Sequence, residues 1–186
     1  PKTEKNDSVS ENYIDEMKKS FKYLIGNKMV LAILFSSLIV SMVAMPVRLQ
    51  LPIIARRLYM ISPGEIGLLL TLAGIGAVFG TLMISTLKKG NLRFLLFLIS
   101  AFGLGFCILT LSIFPYYSVG LIVVIFFGAF EQIRMALSNV LTMEYTDKKY
   151  RARMMGFFML NFAFIPFGAL PIGYGVDKLG AVNTLL

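Results

Sequence analysis

The sequence has no histidine, no tryptophan and one cysteine among 186 residues. Without histidine it lacks the commonest general base and the commonest metal ligand. Cys107 has no second cysteine to pair with, and its position inside an apolar run points to packing. Charge is scarce as well. Asp, Glu, Lys and Arg make up 15% of the chain, where a soluble domain carries roughly a quarter. The sequence shows no carboxylate cluster and no phosphate-binding loop. These absences argue against an enzyme and leave no catalytic residue, cofactor or metal to expect. The first 28 residues are polar, so no secretory signal is visible. The chain starts at Pro1, not Met, which suggests a fragment of a longer protein.

The sequence is 57% hydrophobic, and its charges are clustered. A spanning helix needs about 20 mostly apolar residues. Such runs are expected at 29–47, 66–87, 94–113, 118–143 and 154–176, giving an all-α integral membrane protein with about five spans. The uncharged stretch 94–130 would be roughly 55 Å long as one helix, so it must turn, and Phe114-Pro115-Tyr116-Tyr117 is the place. Residues 181–186 look like the start of a sixth span. The second span has a clear start signal in Ser62-Pro63-Gly64-Glu65: a capping serine, a proline at the first helical position and a glutamate three residues after the serine.

The net charge of +8 would suggest nucleic acid for a soluble chain. Here the basic residues lie mostly between apolar runs, so no nucleic-acid partner is expected. One side carries Lys18, Lys19, Lys22, Lys28, Lys88, Lys89, Arg93, Lys148, Lys149, Arg151 and Arg153. The other carries Arg48, Arg56, Arg57 and Lys178. The positive-inside rule then puts the N-terminal tail in the cytoplasm and the spans in the cell (inner or plasma) membrane. Residues 1–28 precede the bundle of 29–186. Residues 1–11 are polar and read as disordered. Residues 13–25 place Ile14, Met17, Phe21 and Leu24 at helical spacing among lysines. That pattern fits an amphipathic helix on the membrane surface, or else a solvated linker.

Several motifs resemble the major facilitator superfamily, in its branch of macrolide efflux proteins and the enterobactin exporter. Asn12-Tyr13-Ile14-Asp15-Glu16-Met17-Lys18-Lys19-Ser20-Phe21-Lys22-Tyr23-Leu24 is similar to the cytoplasmic helix that links the two halves of such exporters. Leu51-Pro52-Ile53-Ile54-Ala55-Arg56 resembles the pattern after the seventh span. Gly67, Gly74, Gly76 and Gly80 resemble the glycine-rich eighth span. Tyr150-Arg151-Ala152-Arg153-Met154-Met155-Gly156 resembles the opening of the eleventh, with Ala152 where the family usually has glycine. Gly173-Tyr174-Gly175-Val176-Asp177-Lys178-Leu179-Gly180 resembles its close. The family's loop between spans eight and nine often has an acid before a basic run. Here Leu87-Lys88-Lys89-Gly90-Asn91-Leu92-Arg93 has the bases without the acid. The resemblance implies a C-terminal half holding spans seven to eleven, whose partner is the N-terminal half of the same transporter. It further implies that the third span here is peripheral and that the other four line a cavity.

Within the spans, Glu131 and Arg134 stand out, because an ionised side chain at the bilayer centre costs about 2.5–3.5 kcal/mol on insertion scales. Three residues apart, they share a helix face and can pair. Either they face a watery cavity, with Glu131 exchanging a proton or Arg134 holding an anionic substrate group, or they form a static pair that locks helices together. Arg48 either snorkels to the outer interface or lines a cavity. Asn139 and Asn161 suggest interhelical hydrogen bonds or substrate contact. Gly76 and Gly80 give a face for close approach, either sliding or static. Pro166 and Pro171, with Gly168 and Gly173 nearby, predict kinks or local unwinding in the fifth span. The charges Lys88, Lys89, Arg93, Arg151 and Arg153 mark the cytoplasmic loops. The expected function is secondary transport, as a proton-coupled exporter (an antiporter) of a drug or small metabolite by alternating access. A channel or a non-transporting membrane scaffold is the alternative, although no repeated ring of polar residues suggests a pore.

Overall fold

The computed structural model describes residues 4–87, 90–114 and 116–178. Seven helices make up this part: α1 (Glu4–Gly26), α2 (Lys28–Tyr59), α3 (Pro63–Ser85), α4 (Asn91–Ile113), α5 (Tyr117–Tyr145), α6 (Arg151–Ala163) and α7 (Ile165–Lys178). No strand occurs among the described residues. Five stretches are long and apolar enough to span a bilayer: Lys28–Arg56, Pro63–Ser85, Asn91–Ile113, Tyr117–Tyr145 and Arg151–Gly175. The chain is an all-α, multi-pass membrane protein. The expected start of a sixth span at 181–186, together with Lys88, Lys89 and Pro115, lies outside the described residues.

Helix starts follow local chemistry. Asn27 separates α1 from α2, and its side-chain carbonyl accepts the Val30 N–H at 3.3 Å. Its amide donates to the Tyr145 carbonyl at 3.1 Å, tying the start of α2 to the end of α5. At α3 the Glu65 carboxylate accepts from the Ser62 N–H and Ser62 Oγ, each at 2.8 Å, as the start signal predicts. Before α4 the chain turns through Gly90 at φ 139°, a conformation that favours glycine.

Two expectations change, and a third point concerns the prolines. First, α1 begins at Glu4, so residues 4–11 are helical where a disordered tail was expected. Second, α2 runs past residue 47 to Tyr59 and keeps Pro46 and Pro52 inside it. Arg48 does not end the span, because its guanidinium pairs with the Glu131 carboxylate of α5. Third, the fifth span is two helices meeting at Phe164, just before Pro166. Pro166 lacks the N–H that would continue the ladder, and the Phe167 N–H closes back on the Phe164 carbonyl at 3.1 Å. Pro171 stays inside α7.

Packing divides the spans into two groups. α3 and α4 both lie on α5, α7 lies on α2, and α6 packs against both α2 and α5. The two groups meet mainly where α2 crosses α5. Within each group, backbones touch. A Cβ added at Gly76 would sit 1.9 Å from the Ile125 carbonyl oxygen of α5, and one at Gly128 would sit 2.0 Å from that of Ala73 in α3. Gly80 meets Ala129 in the same way. Gly168 of α7 lies against the Met42 carbonyl of α2. α4 buries Phe97, Leu104 and Cys107 and leaves Leu95, Phe102 and Phe106 exposed, so one face packs on the bundle and the rest faces outward.

The loop charges gather as the alternation of spans requires. The Arg93 guanidinium meets the Glu144 carboxylate at 3.2 Å, Asn27 meets Tyr145, and Arg153 pairs with Glu16. The basic loops therefore share one end of the bundle. At the other end the Tyr117 hydroxyl donates to the Glu65 carbonyl at 3.4 Å, and Tyr117 meets Tyr59 edge-on.

Candidate functional site

The polar residues of the spans converge on the crossing of α2 with α5. Ser37 and Ser41, four apart on α2, face the same way. Glu131 lies at the middle of α5, with Arg134 one turn beyond. Asn161 arrives from α6, and Arg48 lies about two turns above Ser41 on α2.

The bonds differ from those that sequence spacing suggests. Glu131 takes its ion pair from Arg48 on the neighbouring helix, with Nη1 donating to Oε2 at 3.0 Å. Arg134 forms no salt bridge to Glu131. It donates to Ser37 Oγ at 3.4 Å and Ser41 Oγ at 3.5 Å, both long contacts. Its Nε has no hydrogen-bond partner among the described residues, although the side chain is buried. Asn161 Nδ2 donates to Ser37 Oγ at 3.2 Å, which makes the interhelical bond expected of an intramembrane amide. Asn139 is half-buried and lies outside this cluster.

The pair is asymmetric in its surroundings. The Glu131 side chain is 4% exposed and that of Arg48 51%. Arg48 thus bridges the buried cluster and an open face of the bundle. Beneath the pair, Ser37, Ser41, Glu131, Arg134 and Asn161 line a cavity with room for about one water molecule. One carboxylate therefore faces two guanidiniums among apolar walls that include Met45 and Phe158. Such a cluster has a surplus of positive charge, and it turns more positive if Glu131 takes up a proton.

A family model described as "transmembrane secretion effector" matches residues 1–186. The chain belongs to that family, within the major facilitator superfamily. No curated protein and no solved structure matches it. As a member of this family it is a transporter in a lipid bilayer, with a transported substrate. The polar crossing of α2 and α5 is its most concentrated intramembrane chemistry.

The other expected residues of this transporter have structural neighbours. Gly76, Gly80 and Gly168 lie at the close helix contacts, and Pro166 stands at the α6–α7 break. Arg93 binds Glu144 and the Leu87 carbonyl, Arg151 binds the Thr146 carbonyl, and Arg153 binds Ser20 and Glu16. Arg93 thus finds its acid on another element, in Glu144 at the end of α5. Ser37 and Ser41 were not singled out from the sequence. Their four-residue spacing on an apolar helix was the available signal.

Proposed function

We propose that this chain is the C-terminal half of a secondary active exporter of drugs or small metabolites, working by alternating access. In this reading Glu131 is the proton-exchanging group. The observation that carries it is the Glu131–Arg48 pair across the α2–α5 crossing, with Arg134 alongside. Protonating Glu131 removes the charge that holds Arg48, and so loosens the contact between the two helix groups. Glycines interlock α3 with α5 and α7 with α2, so the α2–α5 crossing, flanked by α6, is where the two interlocked pairs shift against each other. Arg134 and the released Arg48 then present positive charge to an anionic substrate group or to a dipole. The half-exposed Arg48 supports a neighbouring N-terminal half or a watery cavity at that face, because a bare guanidinium is costly against lipid tails. The gathered basic loops support a cytoplasmic N-terminus in the cell membrane.

The test is transport by the full-length protein in liposomes under an imposed pH gradient. Uphill, saturable movement of a substrate that Glu131→Gln abolishes is the expected result. Uphill movement unchanged by Glu131→Gln removes Glu131 from coupling and keeps the transporter. Downhill leak without saturation points to a channel.

A further inference from the structure

Helix α1 has an apolar stripe that the bundle does not cover. Its inner face is committed, with Ser20 and Leu24 buried against the spans. The Tyr23 ring stacks on Tyr150 with centroids 4.2 Å apart, and the Tyr23 hydroxyl accepts the Asp147 N–H at 3.0 Å. These contacts fix the helix in place. On the outer side Met17, Phe21 and Ile25 recur every fourth residue and are 64%, 55% and 56% exposed. Phe157 of α6 stands opposite, its ring centroid 6.3 Å from that of Phe21. The result is a groove with a wall from a spanning helix, where a simple surface helix would offer only a stripe. Its volume of ≈ 450 Å³ falls within the range of small-ligand sites.

The charges at the groove are of one sign. Lys18 and Lys22 line it. Neither lysine makes a salt bridge among the described residues, whereas Arg153 close by is neutralised by Glu16. An apolar floor with two ammonium groups at its edge matches one chemistry: a lipid that carries an acyl chain and a phosphate headgroup on one backbone.

We propose that the groove between α1 and α6 binds an anionic phospholipid. The acyl chain lies along Met17, Phe21, Ile25 and Phe157, and Lys18 and Lys22 hold the phosphate. The same position at the end of the spans lets the lipid bridge α1 to α6 and brace the loop that Tyr23 and Arg153 already tie down.

The chain contains no tryptophan, so Phe21→Trp places a single reporter in it, read as the difference from the parent protein. The full-length protein is reconstituted with brominated phosphatidylglycerol or brominated phosphatidylcholine, and quenching is titrated. Phosphatidylglycerol is expected to compete about tenfold better at this site, since each lysine near the surface favours anionic lipid severalfold. Lys18→Gln with Lys22→Gln should bring the two lipids to parity while quenching persists. Equal quenching by both lipids in the parent background overturns the proposal in favour of plain bilayer contact. Quenching by neither overturns it in favour of a protein cover such as the other half of the transporter. If Phe21→Trp fails to fold, Met17→Trp reads the same groove from a more exposed position.

Discussion

Replacing Gly76 with alanine tests whether α3 and α5 are interlocked. The new methyl would lie 1.9 Å from the Ile125 carbonyl oxygen and 2.8 Å from its carbon, both backbone atoms. That is about 1.5 Å inside the 3.4 Å at which ordinary contact begins, and a backbone cannot swing aside as a side chain can. The helices must part, and parting them also loosens Gly128 against Ala73. Overpacking a filled interior costs about 1–3 kcal/mol, and a backbone collision belongs at the top of that range, near 3 kcal/mol. Gly74, on the same helix, provides the control because nothing lies within 4 Å of its added Cβ. Gly74→Ala should therefore be neutral or gain up to about 1 kcal/mol of helix stability. Titrating the protein in mild detergent with SDS, followed by circular dichroism, reads both changes. The expected result is a lowered midpoint for Gly76→Ala and an unchanged or raised one for Gly74→Ala. Equal midpoints for the two variants would refute the interlock and leave Gly76 and Gly80 free to slide.

Other outcomes follow from the α2–α5 crossing and from α1. Ser37→Ala removes the acceptor shared by Arg134 and Asn161 and should cost about 2–3 kcal/mol in the same titration. Ser36→Ala, whose hydroxyl donates only to the Ile33 carbonyl of its own helix, should stay within about 0.5 kcal/mol. Glu131→Gln leaves two guanidiniums without an acid. A fully buried pair would lose about 3–5 kcal/mol, and the half-exposed Arg48 brings the expected loss nearer 2 kcal/mol. Combining it with Arg48→Gln should cost less than the sum of the single changes; strict additivity would mean that the pair is not coupled. Tyr23→Phe keeps the stack on Tyr150 but removes the acceptor for the Asp147 N–H, so hydrogen exchange at that amide should speed up while global stability falls by no more than about 1 kcal/mol.

How far the sequence was legible depended on what each residue answers to. The turn at Phe114 and the capped start at Ser62 depend on neighbours in the chain, and both appear where local rules put them. The end of α2 differs from the expected 47 because Arg48, half-exposed as it is, pairs with a carboxylate 83 residues away in the chain and lies within the helix, not at its edge. The Glu131–Arg134 pair failed for the same reason. Spacing puts the two on one face, but a cross-helix guanidinium reaches the carboxylate instead. Glu16 and Glu144 carried no mark in the sequence as partners of Arg153 and Arg93, since nothing in a linear chain says which loop ends meet.

By itself, the sequence determined that the chain is helical, that it spans the bilayer repeatedly, and that the basic loops alternate in side. Apolar length and loop charge are local properties, and the bilayer reads them segment by segment. Only the tertiary structure decided which helices touch, which arginine holds Glu131, and that Arg134 is left to two serines. Those outcomes depend on the crossing of α2 with α5 and on glycines whose missing side chains are filled by another helix's backbone. Such geometry arises only once the spans have packed.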